Sequence, residues 1–197
     1  FKQKTAYEIM PSLVGSEMCI RDRSLGMKTL WAPWRMDYLI GEVDSVTGCL
    51  FCINIEKIPS EENLIIHKGK HNIVMLNKYP YSNGHLLIAP IMHVTSIDEL
   101  SESAIIELSI LSQVCVKMLR RAYNPEGFNV GVNIGAAAGA GVPDHVHMHV
   151  LPRWSGDTNF MTSIAETRVL PEEIGVTYQK LQRIIRQIVE EQQIDNT

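Results

Sequence analysis

Short apolar runs bounded by turn residues predict five β-strands along this chain. In order, the predicted strands cover residues 64–67, 73–77, 85–89, 128–134 and 145–151. Asn83-Gly84, a strong turn signal, lies between the second and third strands, and Pro90 follows the third. The central part of the chain is therefore divided into strands and turns.

A helical period replaces this pattern in two places. From about Ser101 to Tyr123, and again from about Pro171 to Glu191, apolar residues recur on one face, which predicts two amphipathic helices. Asn124-Pro125 ends the first helix, and Pro171 suits the first turn of the second. Strands combined with one long inserted helix and a C-terminal helix predict an α+β domain on a five-stranded antiparallel sheet.

The composition is that of an ordinary globular protein, with 45% hydrophobic and 20% charged residues in a chain of 197. No internal repeat or low-complexity linker indicates a second domain. The formal net charge of −4 provides no basic field for a nucleic acid polymer, so any phosphate binding must be local. No apolar run approaches the roughly 18 residues of a membrane span, so no membrane association is expected.

The N-terminal 26 residues are interpreted separately from the rest of the chain. Residues 10–23, MPSLVGSEMCIRDR, resemble a translated sequencing adapter, which places the start of the natural protein near Met27. A genuine disordered extension is the alternative. In both cases we expect a single domain over residues 27–197, and we exclude residues 1–26 and Cys19 from the functional interpretation.

The four cysteines do not form the framework of a secreted disulfide protein. Cys49 and Cys52 form a close pair, whereas Cys19 and Cys115 are isolated. The first residues also lack the apolar region of a signal peptide. A reducing, cytoplasmic location is therefore expected.

The most informative segment is His145-Val-His-Met-His-Val-Leu. Its histidines, His145, His147 and His149, alternate with apolar residues. On a strand, side chains at a period of two share one face, so the imidazoles should project together while the intervening residues enter the core. A helix would separate His147 from the other two. The alternation therefore favours a strand.

Three imidazoles on a largely buried strand are costly unless the protein uses them. At neutral pH an imidazole can act as a nucleophile, as a general acid or base, or as a donor to phosphate oxygens. An accidental or purely metal-binding histidine cluster is the alternative. The pattern therefore indicates a site that uses the chemistry of its imidazoles.

This segment resembles the signature of the histidine-triad (HIT) superfamily, in which hydrophobic residues separate the histidines. The resemblance covers about residues 28–165. Stretches that begin at Trp31 and at Pro152 are similar to bacterial members of the diadenosine tetraphosphate phosphorylase-like and fragile-histidine-triad-like groups. The resemblance implies a HIT-like fold, which usually pairs into a homodimer.

The resemblance also assigns roles to individual residues. His147 matches the family nucleophile, His149 matches the residue that hydrogen-bonds the reacting phosphate, and His145 completes the catalytic triad. The expected nucleotide-binding positions are Asn77, His85, Asn133, Gly139 and Gly141. Many relatives carry Gln, Ser or Thr where this chain has Gly141, so backbone N–H groups of the Gly-rich loop are expected to bind the phosphate instead.

An enzyme that cleaves a nucleotide phosphate bond through a nucleotidyl-histidine intermediate is implied by the resemblance. The leading hypothesis is phosphorolysis or hydrolysis of a dinucleoside polyphosphate. One alternative is hydrolysis of a nucleoside phosphoramidate, which releases AMP from an amine. Another is a nucleotide-binding or sensing protein without turnover. The leading scheme requires no catalytic cofactor.

Cys49 and Cys52 form a CxxC motif, a common first half of a zinc site. The motif alone is weak evidence, because it also occurs in redox proteins and among core thiols. Relatives with a similar motif complete a zinc site with histidines that match His93 and His145. The resemblance implies a structural zinc on these four residues; a redox pair and a metal-free variant are the alternatives.

Overall fold

The computed structural model describes residues 48–55, 57–157 and 171–194 of the chain. The predicted extension over residues 1–26 and the predicted start at Met27 lie outside these ranges. The helices and strands are α1 (Leu50–Ile55), β1 (Ile65–Lys68), β2 (Asn72–Leu76), β3 (Leu86–Pro90), α2 (Glu102–Tyr123), β4 (Gly127–Val132), β5 (Met148–Arg153) and α3 (Ile174–Ile194). No helix in the described ranges is long and apolar enough to cross a membrane.

The five strands form one antiparallel sheet in the order β1-β2-β3-β5-β4. Strands β3 and β5 are neighbours although α2 and β4 lie between them in the sequence. Strand β4 pairs with β5 from Gly127 opposite Arg153 to Val132 opposite Met148. The predicted α+β class with a five-stranded antiparallel sheet is confirmed.

Each face of the sheet has its own hydrophobic core. Helices α2 and α3 cover one face, and this core includes Leu76, Leu86, Met118, Leu119, Val150 and Leu181. The other face carries a smaller cluster around α1, formed by Phe51, Ile55, Ile65, Ile73, Met75, Leu87 and Ala89. Because strands β2 and β3 are buried on both faces, they read as continuous apolar runs.

Both predicted helices and all five predicted strands are present, with ends that lie within three residues of the prediction. Ser101 caps α2, since its side chain accepts a hydrogen bond from the Ala104 N–H at 3.3 Å. Asn124 ends this helix in the left-handed conformation, with φ of +45°. Local sequence signals therefore fix both ends of the long helix.

The last strand begins later than predicted. The sequence pattern places all three histidines on a strand over residues 145–151, but β5 begins at Met148, so His145 and His147 precede it. The ladder between β3 and β5 ends at Met148. Ahead of it, the Val146 N–H donates to the Val94 carbonyl at 2.8 Å, and the Pro90 carbonyl accepts a hydrogen bond from the His145 ring at 2.9 Å.

The predicted alternation of side chains nevertheless persists ahead of β5. Val146 and Val150 are buried in the core beneath α2 and α3. His145 and His147 lie instead against the ring of Phe51, in the cluster on the opposite face. The histidines therefore project to the side of the sheet that carries α1.

Gly84 closes the connection between β2 and β3 against α2. The His85 N–H donates to the Ser82 carbonyl at 3.2 Å, and Gly84 has φ of +75°, as residue i+2 of a type II turn requires. A Cβ at this position would lie 2.9 Å from Leu119 and 3.0 Å from Tyr123. Glycine therefore satisfies both the turn and the close approach, which confirms the predicted turn.

Glu107 connects α2 to the turn between β1 and β2. Its carboxylate accepts hydrogen bonds from the backbone N–H groups of Lys70 and His71, both at 2.7 Å, and from the side chain of Asn72 at 2.9 Å. Burial alone would raise the pKa of Glu107, but these hydrogen bonds outweigh it, so the pKa lies below the ordinary 4.5. The fold therefore uses the charged form.

We expect Glu107→Gln to lower the free energy of unfolding by roughly 1–3 kcal/mol at neutral pH, because hydrogen bonds to a charged carboxylate are weakened. Since the folded pKa is depressed, this contribution is complete above pH 4.5 and is lost as pH falls through the folded pKa. Chemical denaturation should show a difference from wild type that shrinks in acid. Exposed Glu190→Gln is the control; a Glu107→Gln difference unchanged in acid would contradict the assignment.

Candidate active site

The three histidines of the predicted triad lie together beside α1. The ring centroids of His147 and His149 are 4.9 Å apart, and the Phe51 ring lies 4.9 Å from that of His145 and 5.0 Å from that of His147. His145 and His147 are buried, whereas His149 is half-buried. The structure therefore brings the predicted catalytic residues to one place.

The environment of His147 fixes both its charge and its tautomer. Its Nδ1 lies 2.9 Å from the backbone carbonyl of His145, which can only accept, so Nδ1 carries the proton and Nε2 keeps its lone pair. Burial lowers the pKa of His147 below 6.5, although the same hydrogen bond opposes the shift. At neutral pH the ring is neutral, and Nε2 has the electronic form of a nucleophile.

A chain of hydrogen bonds fixes the tautomer of His149. Asn77 Oδ1 accepts from the Tyr79 N–H at 2.9 Å, so Asn77 Nδ2 is the end that faces His85 Nδ1, at 3.2 Å. The Tyr81 N–H also donates to His85 Nδ1, at 3.1 Å. Because two donors converge on Nδ1, His85 carries its proton on Nε2 and donates it to His149 Nδ1 at 2.9 Å. His149 therefore has its own proton on Nε2.

A cavity of about 200 Å³ opens beside His147 and His149. Its apolar wall is formed by Leu50, Phe51, Leu64, Met75, Leu87 and Val142. Leu64 has φ of +59°, a left-handed conformation that is uncommon for a leucine. Polar groups of the loop after β2, including Lys78, also line the cavity. An apolar cavity with a small number of polar groups is typical of a small-molecule site.

The predicted nucleotide-binding residues divide into two groups. Asn77 and Gly141 line the cavity, and the fully buried His85 lies behind His149. Asn133, which follows β4, and Gly139, which is exposed after a short 3-10 turn, are not among the described lining residues. The structure therefore brings three of these five residues to the triad and leaves two outside the cavity lining.

Phe51 and Tyr81 belong to the site but were not predicted from the sequence. Phe51 lies on α1, a helix that the sequence analysis also missed. The Tyr81 ring contacts His85 at 4.8 Å and is nearly parallel to that of His149 at 6.2 Å. In the sequence, Phe51 stands inside the CxxC motif and Tyr81 stands between two predicted strands. Neither belongs to a periodic pattern that would predict its place in the site.

A second cluster lies at the N-terminal end of α1 and consists of Cys49, Cys52, His93 and His145. Their ligand atoms, two Sγ and two Nδ1, all lie within 4.8 Å of one another. His145 Nε2 donates to the Pro90 carbonyl at 2.9 Å, so its Nδ1 keeps the lone pair that faces the cluster. The predicted metal-binding residues are therefore brought together.

Four of the six separations between the ligand atoms are close to those of a tetrahedral zinc site. For Zn–S bonds of about 2.3 Å and Zn–N bonds of about 2.0–2.1 Å, ligand atoms lie roughly 3.3–3.8 Å apart. His145 Nδ1 lies 3.3 Å from Cys49 Sγ, 3.6 Å from Cys52 Sγ and 3.2 Å from His93 Nδ1. Cys52 Sγ lies 3.2 Å from His93 Nδ1. The donor set and its spacing fit zinc.

His147 and His149 lie next to each other at the edge of the apolar cavity. The neutral ring of His147 has a lone pair on Nε2, and the ring of His149 carries an N–H at Nε2. This arrangement provides a nucleophile and a hydrogen-bond donor at the same reacting centre. It defines a histidine-based site for a small ligand.

Comparison with known proteins identifies the family. The HIT domain model matches residues 59–156, which include the three histidines. The chain is 35% identical over 163 residues to an AP-4-A phosphorylase of Mycobacterium tuberculosis, which covers 78% of this chain and 84% of the relative. The chain belongs to the histidine-triad (HIT) family.

Solved structures agree with this membership. A hypothetical histidine triad nucleotide-binding protein of Sulfolobus tokodaii is 30% identical, with a TM-score of 0.55 over 73% of this chain and 93% of that chain. A Zn-bound histidine triad family protein of Mycobacterium smegmatis has the same fold at 20% identity, with a TM-score of 0.59 over 73% and 97%.

The hydrogen bonds around the site predict the tautomer of each imidazole. Nitrogen-15 NMR at neutral pH should show His147 as the Nδ1–H tautomer, and His85 and His149 as Nε2–H tautomers. In His85→Leu, Nδ1 of His149 loses its donor, so both tautomers of His149 should be populated. His71→Leu, outside the site, should leave the spectrum of His149 unchanged. A pure Nε2–H form of His149 in His85→Leu would refute the relay.

Proposed function

We propose that this protein cleaves dinucleoside polyphosphates by transferring a nucleotidyl group to His147 and then to phosphate or water. The observation that carries the proposal is the buried, neutral imidazole of His147, whose Nδ1–H donates to a backbone carbonyl and whose Nε2 keeps its lone pair. The 35% identity to an AP-4-A phosphorylase over most of both chains supports the substrate class.

In the first half-reaction, the Nε2 lone pair of His147 attacks the α-phosphorus in line with the leaving group. The P–O bond to the leaving nucleoside polyphosphate breaks, and the electron pair stays on that oxygen. The new P–N bond gives the ring a positive charge, which the His145 carbonyl stabilises through the Nδ1–H. His149 donates from Nε2 to a phosphate oxygen and stabilises the charge that develops there.

In the second half-reaction, inorganic phosphate or water attacks the same phosphorus from the side opposite His147. The P–N bond breaks, its electron pair returns to Nε2, and the proton of the acceptor is released to solvent. Phosphate as the acceptor yields ADP from an adenylyl-histidine, and water yields AMP. Division of one displacement into two easier steps is the advantage of a covalent intermediate.

The apolar cavity would hold the nucleoside, with the α-phosphate at the histidines. Asn77 and the backbone of Gly141 line the cavity and are assigned to nucleotide binding. His85 acts on the substrate through His149 rather than by direct contact. The nucleotide-binding roles of Asn133 and Gly139 stay predictions that rest on the family resemblance.

We expect the full chain, incubated with diadenosine tetraphosphate, to form a nucleotidyl adduct on His147 that rapid quenching and intact mass spectrometry detect. ADP and ATP should appear if phosphate is the acceptor, and AMP and ATP if water is the acceptor. His147→Ala should form no adduct and lose at least about 10³-fold in turnover, because the nucleophile is removed. His71→Ala is the matched control and should retain the wild-type rate.

The same experiment separates the alternatives. Equal turnover by His147→Ala would refute the mechanism. Release of AMP from an AMP–amine conjugate, without cleavage of diadenosine tetraphosphate, would identify a phosphoramidate hydrolase. Nucleotide binding that survives His147→Ala, with no adduct in the wild type, would identify a sensing protein.

We further infer that Cys49, Cys52, His93 and His145 hold a structural zinc ion. The tetrahedral spacing of their ligand atoms supports this assignment. The related fold in a Zn-bound protein of Mycobacterium smegmatis is consistent with it. When bound, the metal would cross-link α1 to the segments that follow β3 and precede β5. The hydrogen bond from His145 Nε2 to Pro90 orients the ring for this role.

The purified chain is expected to contain about one zinc per chain, measured by inductively coupled plasma mass spectrometry. Cys52→Ser should lower both the zinc content and the thermal midpoint of unfolding, because a thiolate ligand is lost. Cys115→Ala is the control for zinc content, since Cys115 is fully buried in the core on the other face of the sheet. Zinc content that is equal in wild type and Cys52→Ser would contradict the site.

The homodimer and the cytoplasmic location stay predictions. Among the described strands, β4 is an edge of the sheet, and Val130 on this strand is 48% exposed. An exposed apolar residue on an edge strand supports association with a second copy at that edge.

A further inference from the structure

Phe51 joins two parts of the molecule that have separate chemistry. It lies between the two cysteines of the CxxC motif, N-terminal to the residues 59–156 that match the HIT domain. Its ring is 1% exposed and contacts His145 at 4.9 Å and His147 at 5.0 Å. It therefore touches one residue of the cysteine–histidine cluster and the residue proposed as nucleophile.

We propose that Phe51 is a positioning residue through which the cysteine–histidine cluster holds the His147 ring in its attacking orientation. The inference rests on the proposed function, because it takes His147 as the nucleophile and the cluster as a metal site. The cysteine–histidine cluster and His147 are then mechanically coupled through one aromatic side chain.

The position of Phe51 depends on the cluster because α1 cannot be stable alone. The helix has six residues, well below the length at which an isolated helix forms in water. Cys49 precedes the helix and Cys52 lies in its first turn, so the cluster fixes this end. At the other end, Lys68 Nζ donates to the Ile55 carbonyl at 2.7 Å. Among the contacts of residues 48–55, 57–157 and 171–194, the Lys68 hydrogen bond and apolar packing would remain to hold α1 without the cluster.

The orientation of His147 depends on Phe51 because one hydrogen bond does not fully fix the ring. The ring turns about two side-chain torsions, and the single bond from Nδ1 to the His145 carbonyl does not restrain both of them tightly. The second constraint is contact with neighbouring rings, those of Phe51 at 5.0 Å and His149 at 4.9 Å. Small errors in the direction of a nucleophile reduce the rate strongly, since attack requires alignment with the leaving group.

Two routes lead from the cluster to His147, and they can be separated. One passes through Phe51, and the other passes through the backbone of His145, which is itself a cluster ligand. If Phe51 is the main route, loss of a cysteine ligand should slow formation of the nucleotidyl-histidine little further once the Phe51 ring has been removed. A double-mutant cycle between Phe51 and Cys52 measures this directly.

The experiment measures the rate of nucleotidyl-histidine formation in single turnovers with diadenosine tetraphosphate, together with zinc content, in four full-length proteins. These are wild type, Phe51→Leu, Cys52→Ser and the double variant. Phe51→Leu should form the adduct at least about 10-fold more slowly while its zinc content stays at the wild-type value. Cys52→Ser should be slowed to a similar degree, and the double variant should be no slower than the slower single variant.

Ile55→Ala is the matched control, because Ile55 lies on the same helix and in the same core cluster but is not among the cavity-lining residues. Its rate of adduct formation should stay within about 2-fold of wild type. If circular dichroism shows that Phe51→Leu is unfolded, Phe51→Met takes its place, because the flexible methionine side chain fills irregular space in a core.

Wild-type adduct formation in a folded Phe51→Leu would overturn the inference. So would rate losses that multiply in the double variant, since the cluster would then act through His145. Absence of the adduct in wild type would refute the proposed function, and the inference with it. These results are distinguishable, because the first two require a normal adduct on the wild-type protein.

Discussion

The rest of the site depends on the buried imidazole of His145, in which each ring nitrogen has a partner. His145 is 0% exposed; its Nε2 donates to the Pro90 carbonyl, and its Nδ1 faces the cysteine–histidine cluster. Its backbone carbonyl accepts from His147. Burial lowers the pKa of His145 below 6.5, with the Pro90 hydrogen bond opposing this shift. A buried polar group that lacks such partners would destabilise the fold, so these contacts explain how the protein tolerates histidine here.

The two histidines that follow are chemically different although they have the same side chain. His147 donates from Nδ1 to a carbonyl, and His149 accepts at Nδ1 from His85. One ring therefore carries a lone pair on Nε2, and the other carries a proton on Nε2. Backbone groups decide both outcomes, the His145 carbonyl for one ring and the Tyr81 N–H, acting through His85, for the other. The division of labour within the triad is thus set by the fold around it.

Much of the fold could be predicted because periodic burial leaves a direct trace in the sequence. The two long helices and the sheet follow from such patterns, and the alternation of the histidines places them on one side. The start of β5 could not be predicted, since the hydrogen bonds ahead of it, to the Val94 and Pro90 carbonyls, join segments that are distant in the sequence. Helix α1 is too short for a periodic signal. Contacts of Phe51 and Tyr81 with the histidines arise only when distant segments meet.

The close approach of Gly84 to Leu119 and Tyr123 has a consequence for protein engineering. The loop between β2 and β3 is fastened to α2 at a residue with no side chain, directly before His85. Elsewhere in the loop, the Tyr81 N–H donates to His85, and Lys78 lies at the cavity. Libraries that vary residues 78–80 can therefore explore new acceptors or leaving groups, whereas position 84 should be kept constant to preserve the register of the imidazoles.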